Sequence, residues 1–266
     1  MTSQFQHTLW LWLEGMFPRR ISYYLLMKGL VASPSDLLHG KTGDPSLRLS
    51  LINFDTAKGF TYLDAEDPAP KGASTPCLRI IDPSTGDARF IHESSAIITY
   101  LETVYGGHGP ALAPEDAVSV AIMNDLIAGI NLAVTDGAYY IKHAVPQSTA
   151  WSLLKNEERS HAAALNAYAF AVKNLLKVQL WANPTLSGAG WLTPGIHRAG
   201  LVDATLAGGC RYLDLTYGWD MLENEELSEL KEWYKRFKVL PWWSELEDRE
   251  DVHPSEMRYG SSCREV

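Results

Sequence analysis

The pattern of apolar and polar positions changes character near residue 106. Before it, short apolar runs alternate with turn-forming clusters; after about residue 114, apolar residues recur every three or four positions over long stretches. Leu9-Trp10-Leu11-Trp12-Leu13 is a short apolar run that predicts a buried strand of a mixed or parallel sheet. Met16 to Gly29 predicts a helix. Pro18 suits a first turn, Ile21, Tyr24, Leu25 and Lys28 fall on helical spacing, Gly29 is a good stop, and Lys28 suits the negative helix end. Residues 31–46 read as loop. Leu47 to Phe54 predicts a second strand with Leu47, Leu49 and Leu51 on one face, and residues 55–73 read as a long irregular connection, either functional or locally helical. Cys77 to Ile81 and Ala88 to Ile91 predict a strand hairpin around the turn residues 82–87. Ser94 to Tyr105 predicts a helix striped by Ile97, Ile98, Leu101, Val104 and Tyr105. The order is β-α-β then β-β-α, which predicts a thioredoxin-like arrangement.

Gly106 to Pro114 reads as a linker, separating a domain over residues 1–106 from one over residues 114–266. Val118, Ile122, Leu126, Ile130 and Val134 repeat every four residues along one long helix ended by Pro146. A second long helix is predicted from about Ser148 to Trp181, ended by Asn183-Pro184. Residues 185–198 form a Gly/Pro-rich loop, and Leu201 to Tyr217 and Glu225 to Phe237 are two further helices. The expected fold class is therefore α/β plus all-α: a thioredoxin-like N-terminal domain (βαβ-ββα) followed by a helical-bundle C-terminal domain.

The 266 residues are 46% hydrophobic and 21% charged, enough apolar content for real cores in two domains. The formal net charge is −9 without a basic stripe, which argues against nucleic acid as a partner. The N-terminus lacks the basic start and apolar run of a signal peptide, and no apolar run approaches the ~20 residues of a membrane span. Cys77, Cys210 and Cys263 are far apart and odd in number, so a disulfide framework or zinc site is not expected, and a reducing, cytoplasmic location fits. The eight histidines show no metal spacing.

Two motifs carry candidate chemistry. Thr75-Pro76 begins a strand. It reads either as a proline tolerated at a first strand position or as a cis peptide that turns the Thr75 backbone toward a cleft, where it can pair with an extended peptide. Glu93-Ser94 reads either as an ordinary serine N-cap with Glu93 just outside it, or as the place where a carboxylate rests on helix amides and the Ser94 hydroxyl while Glu93 holds an ammonium group. Together they suit a small peptide with an α-amino acid end, and glutathione is the obvious candidate. Cys77, beside Leu78 and Ile80, reads as a small buried hydrophobe or as a catalytic thiol, and His92 is expected to point away from Glu93. Trp242-Trp243 after Pro241 either cap a pocket or close the helical core.

The strand–helix opening, the Thr75-Pro76-Cys77-Leu78 strand start, the helix Glu93-Ser94-Ser95-Ala96-Ile97-Ile98-x-Tyr100-Leu101-Glu102 and the all-helical second half resemble the cytosolic glutathione S-transferases. Leu201-Val202-Asp203-Ala204 resembles that family's buried capping motif. Gly200 stands where the family prefers serine or threonine, which implies a weakened cap. Phe17-Pro18-Arg19-Arg20 and Thr75-Pro76-Cys77-Leu78-Arg79 resemble the family's fungal secondary-metabolism branch.

The resemblance implies that Thr75, with Pro76, binds the cysteinyl backbone of glutathione and that Glu93 and Ser94 bind its γ-glutamyl end, with Phe17, Lys71 and Ser74 as further contacts. It implies a hydrophobic electrophile as second substrate, with Met16, Phe17, Asn124, Tyr139 and Tyr140 as pocket candidates, and a homodimer. One position departs from the family. No hydroxyl or thiol lies between Glu14 and Ile21, where the resemblance implies a tyrosine, serine or cysteine to stabilise the thiolate. The helix N-terminus with Arg19 or Arg20 nearby is what remains, and Arg19 is the candidate catalytic residue. The expected activity is conjugation of the electrophile, or reversible thiol addition that isomerises a conjugated, polyketide-type carbonyl. The alternative is a non-catalytic binding or assembly module of the same fold.

Overall fold

The computed structural model describes residues 5–55 and 59–248; Cys263 lies outside them. The chain divides into two compact units, Met1–Ala113 and Pro114–Val266. The first contains β1 (Gln6–Leu11), α1 (Met16–Lys28), α2 (Pro34–Leu38), β2 (Leu47–Asp55), β3 (Gly59–Tyr62), β4 (Cys77–Ile81), β5 (Ala88–Ile91) and α3 (Ser94–Val104). The five strands form one mixed sheet in the order β3-β2-β1-β4-β5, in which only β1 and β2 run parallel.

Two elements differ from the sequence reading. The stretch 31–46 is not all loop, because Ser33 caps α2 by accepting from the Asp36 N–H at 3.1 Å and Pro34 supplies a pre-set first turn. The connection after β2 is not irregular throughout. It turns back as β3, pairing Ile52 with Tyr62 and Phe54 with Phe60. Because β3 is an edge strand with no buried residue, it lacks the alternation that would reveal a half-buried strand.

Strand register assigns the sheet two unlike faces. Leu9, Leu49 and Leu78 form one row and Leu11 and Leu51 another, all buried, on a single face. The next positions place Trp10, Ser50 and Cys77 on the opposite face, where Trp10, Ile52 and Cys77 form a cluster packed against Trp12, Tyr62, Ala69 and Ala73. The connection between β3 and β4 covers this second face, and Asp67 fastens it there. Its carboxylate takes two bonds from Arg79, at 2.8 and 2.7 Å, and one from Arg48 at 2.9 Å, while its backbone carbonyl accepts from Trp10 Nε1 at 3.0 Å. The Arg79 guanidinium lies 5.1 Å from the Trp10 ring centroid. These cations, the Arg79 bonds foremost, hold the Asp67 carboxyl below its usual range.

β1 starts before the apolar run, and within that polar start His7 is buried with hydrogen-bonding partners. His7 Nε2 lies 3.0 Å from the Tyr100 hydroxyl and Nδ1 3.0 Å from that of Tyr105, which in turn lies 3.0 Å from Ser46 Oγ. A neutral imidazole suits this arrangement, with one nitrogen donating and the other accepting. Burial lowers the His7 pKa, against the opposing pull of a Ser46 backbone bond and the Asp44 charge. The folded pKa therefore lies below that of the unfolded chain, so this contribution to stability is present above ~6.5 and is lost as pH falls through the folded value. Thermal unfolding should begin at lower temperature at pH 5 than at pH 7, and His7→Asn should show a shallower dependence; an unchanged slope in the variant would remove His7 as the cause.

Residues 106–113 are fastened to the first unit rather than free. Lys28 is fully buried, and its Nζ donates to Glu102 Oε1 and to the Pro110 carbonyl, each at 3.0 Å, while Glu102 also accepts from the Leu112 N–H at 2.8 Å. Gly109, at φ +61°, passes so close that a Cβ there would sit 2.1 Å from the Lys28 carbonyl.

In the second unit α4 (Ala117–Ala144) and α6 (His161–Gly188) form the main pair, and α7 (Leu201–Tyr217) packs on α4. Contrary to the sequence reading, α4 is long and apolar enough to cross a membrane by length and composition; its Leu126, Ile130 and Val134 are buried, while Val118 and Ile122 are exposed. The second predicted long helix is broken: a short α5 (Thr149–Ser152) ends at Leu153 in left-handed conformation. Arg159 then gathers loose groups, donating to the Pro146 carbonyl at 2.9 Å and to Thr149 Oγ1 at 2.7 Å. Only then does Ser160 cap α6. That helix also runs through Pro184 instead of ending before it, which removes one backbone bond close to its C-terminus. α8 (Ser228–Phe237) follows a 3₁₀ turn at Glu225–Leu227, and α9 (Trp243–Glu247) was not expected from the pattern. Trp243 is buried and meets Phe237 and Tyr234 edge-on.

The cap of α7 is complete despite Gly200. Asp203 is fully buried; Oδ1 accepts from the Leu192 N–H at 2.8 Å and Trp233 Nε1 at 2.6 Å, and Oδ2 from the N–H groups of Thr193 and Gly200 and from Thr193 Oγ1 at 2.7 Å. Thr193 Oγ1 also accepts from the Val202 N–H at 3.1 Å. Thr193, from the preceding loop, thus supplies the hydroxyl that position 200 lacks, correcting the expectation of a weakened cap. Burial pushes the Asp203 carboxyl up, with these hydrogen bonds opposing it.

Candidate functional site

Strand pairing brings the candidate residues to one edge of the sheet. β1 ends at Leu11 and leads through Trp12 to the start of α1. Trp10 pairs with Cys77, so Thr75-Pro76 enters β4 at that edge, and Leu78 pairs with Ile91, so β5 delivers Glu93-Ser94 there. The edge thus collects the start of α1, the start of β4 and the start of α3, the carboxyl-end position at which open α/β sheets bind ligands.

Each part has a local cause. The Thr75–Pro76 peptide is cis, and Thr75 Oγ1 accepts from the Trp12 N–H at 3.0 Å, tying the start of β4 to the end of β1. No hydrogen bond among the described residues uses the Thr75 backbone N–H or C=O. At α3, Glu93 is itself the N-cap residue and Ser94 the first helical residue, which corrects the serine-cap reading. Glu93 is exposed, Ser94 is buried, and no side chain caps the helix. The first-turn amides of α3 and the Glu93 carboxylate are therefore placed side by side for a ligand with both charges.

α1 likewise starts without a side-chain cap and without an acidic residue in its first turn. Gly15 stands at its N-cap because a Cβ there would sit 2.9 Å from Trp12 Cε3. Its N–H donates to the Trp12 carbonyl at 3.0 Å, and the Arg19 N–H reaches back to the Gly15 carbonyl at 3.0 Å. Between them only Met16 and Phe17 carry N–H groups, since Pro18 has none. The arginines behave differently from expectation. Arg19 is 2% exposed and donates from Nη1 to the Glu14 carbonyl at 3.0 Å. Arg20 is buried beneath Phe17, 5.1 Å from that ring's centroid. Burial lowers its pKa to about 10, with Glu93 pulling the other way, so it stays charged at neutral pH.

The remaining candidates separate. Lys71 and Ser74 are exposed on the connection that Asp67 fastens. Met16 is half-buried and Phe17 is exposed. On α4, Asn124 and Tyr139 are exposed, whereas Tyr140 packs on Trp219 at 4.7 Å and Tyr168 at 5.5 Å between ring centroids, which makes it part of an aromatic cluster. Cys77 is fully buried and its thiol is pushed up by burial. His92 Nδ1 lies 3.6 Å from Cys77 Sγ on the neighbouring strand. Among the described residues no group of His, Cys, Asp and Glu could hold a metal ion. A cavity of about 530 Å³ lies along α6 in the second unit, lined mainly by apolar side chains together with Lys173 and Lys177.

No family model matches the chain, and none of the curated proteins matches it. Solved structures do. A maleylacetoacetate isomerase from Anaeromyxobacter dehalogenans 2CP-1, with dicarboxyethyl glutathione and citrate in its active site, matches 96% of this chain and 98% of its own at 16% identity and a TM-score of 0.62. The chain has the glutathione S-transferase fold. FzlA from C. crescentus matches 98% of each chain at 17% identity and a TM-score of 0.59. A theta class glutathione S-transferase from Xanthomonas axonopodis pv. citri matches 94% of this chain and 98% of its own at 18% identity and a TM-score of 0.54.

Within this fold, sequence reasoning missed the burial of Arg20 within reach of the Glu93 charge, the Asp67 fastening and the aromatic residues of β2 and β3. The Arg19-Arg20 doublet was visible, but the burial of both side chains depends on how α1 packs. Asp67 sat in a stretch without pattern.

Proposed function

We propose that this chain binds glutathione at the edge where α1, β4 and α3 begin, and uses its thiolate on a hydrophobic electrophile as a transferase or isomerase. The observation that carries the reading is the convergence of an unpaired Thr75 backbone, the Glu93 carboxylate with the uncapped α3 amides, and the uncapped start of α1. The Thr75 N–H and C=O pair with the cysteinyl residue, as a further short strand. Glu93 and the α3 amides, with Ser94, hold the γ-glutamyl ammonium and carboxylate. The thiolate then rests at the Met16 and Phe17 amides, where the helix dipole and the Arg20 charge favour an anion.

Without a dedicated hydroxyl donor the activation is modest, which suits a strongly electrophilic conjugated carbonyl. The thiolate adds to the β-carbon, the electron pair moves onto the enolate, and rotation about the new single bond precedes expulsion of the same thiolate. The product is the isomerised alkene and glutathione is regenerated. The isomerase among the structural neighbours supports this version, and a polyketide-type substrate is its most specific form. A homodimer is part of the proposal, supported by exposed apolar residues on α4 and α6 such as Leu132, Leu165 and Phe170.

The missing hydroxyl favours a second reading, a glutathione-binding module without catalysis. Turnover of a conjugated enone separates the two: the enzyme should consume it with glutathione and leave it untouched with S-methylglutathione. Tight glutathione binding with no turnover across a range of enones would support the module instead.

A further inference from the structure

We propose that Trp12, Phe54 and Phe60 form a binding surface for a neutral, planar conjugated group of the electrophile, wholly within the N-terminal unit; the inference rests on the glutathione reading of the adjoining edge. Their ring centroids lie 5.6 Å (Trp12–Phe54), 5.6 Å (Trp12–Phe60) and 5.3 Å (Phe54–Phe60) apart, tilted or edge-on to one another. Phe54 and Phe60 face each other across β2 and β3, and a cross-strand aromatic pair already explains their mutual contact. That pairing leaves them 40% and 46% exposed, however, and does not account for the third ring, which comes from the end of β1.

Trp12 joins the surface to the proposed thiol site. Its N–H donates to Thr75 Oγ1, its indole borders Gly15 at the start of α1, and its Nε1 donates to Glu14 Oε2 at 3.0 Å. These contacts hold the indole between the α1 terminus and the β2–β3 hairpin. Tilted rings leave faces open for stacking, which selects flat π-systems over flexible aliphatic chains. The Glu14 carboxylate fixed on the indole, in a chain of net charge −9, selects against anionic ligands.

The surface can be titrated without catalysis, using N-phenyl-1-naphthylamine as a neutral planar probe that brightens on binding. Phe54→Ala/Phe60→Ala is expected to weaken its binding about tenfold, and Phe54→Leu/Phe60→Leu, which keeps apolar area, to weaken it as well. In turnover, the Ala variant should raise KM about tenfold for trans-4-phenyl-3-buten-2-one and leave KM unchanged for glutathione and for methyl vinyl ketone. Probe binding within twofold of the parent in the Ala variant, parent-like binding in the Leu variant, or equal losses on both enones would overturn the proposal. Absence of turnover with both enones would count against the catalytic reading and not against this surface, which the probe titration decides by itself.

Discussion

Asp203→Ala is expected to lower the stability of the second unit by roughly 3–5 kcal/mol, because it strips a buried anion from the donors arranged around it. The Leu192, Thr193 and Gly200 amides, the Thr193 hydroxyl and the Trp233 indole N–H all end on this one carboxylate, away from water. Alanine leaves them without a partner in a site already closed by α7. Thr193→Val, which removes one hydroxyl but keeps its volume, should cost about 1–2 kcal/mol. Urea unfolding followed by tryptophan fluorescence checks both. A shift below ~1 kcal/mol for the alanine variant would mean that the capping network is not what holds the start of α7.

The second large effect concerns ligand binding. Glu93→Gln is expected to weaken glutathione binding tenfold to a hundredfold, since a charge-assisted hydrogen bond contributes about 1.5–3 kcal/mol. Glutamine is the better choice than alanine because it removes the charge while keeping the length and volume of the side chain. Ser94→Ala should lose less, about fivefold to tenfold. Calorimetric titration gives both affinities, and thermal unfolding in the absence of glutathione shows whether the fold has moved. Equal affinity in the parent and the Glu93→Gln protein would take Glu93 out of the site.

The long, strongly patterned elements were legible in the sequence. Met16 to Gly29, Cys77 to Ile81, Ala88 to Ile91 and Leu201 to Tyr217 carry their own periodicity, stops and turns, and the structure places them at those residues or within one of them. Elements whose identity depends on partners were not legible. β3 is an exposed edge strand defined by its pairing with β2. The interruption before α6 is held by Arg159 bonding to groups from the preceding turn. Pro184 is a strong local stop signal that the surrounding helix absorbs near its end.

The same division runs through the site. Thr75-Pro76 and Glu93-Ser94 were visible as motifs because their chemistry is local: a proline at a strand start and an acid at a helix start. The burial of Arg20 within reach of the Glu93 charge needed the packing of α1 against α3. The replacement of the position-200 hydroxyl by Thr193 needed a loop to fold back on α7, and a glycine read in isolation pointed the other way.

The central claim is that glutathione binds at the edge where α1, β4 and α3 begin. Amide chemical shifts of the isotopically labelled protein, followed as reduced glutathione is added, test it most directly. The shifts should cluster at Met16, Phe17, Thr75, Glu93 and Ser94 and saturate, and Glu93→Gln should move the saturation to higher concentration. No shifts at millimolar glutathione, or shifts confined to residues such as Val172 and Leu176 along the α6 groove, would contradict the account.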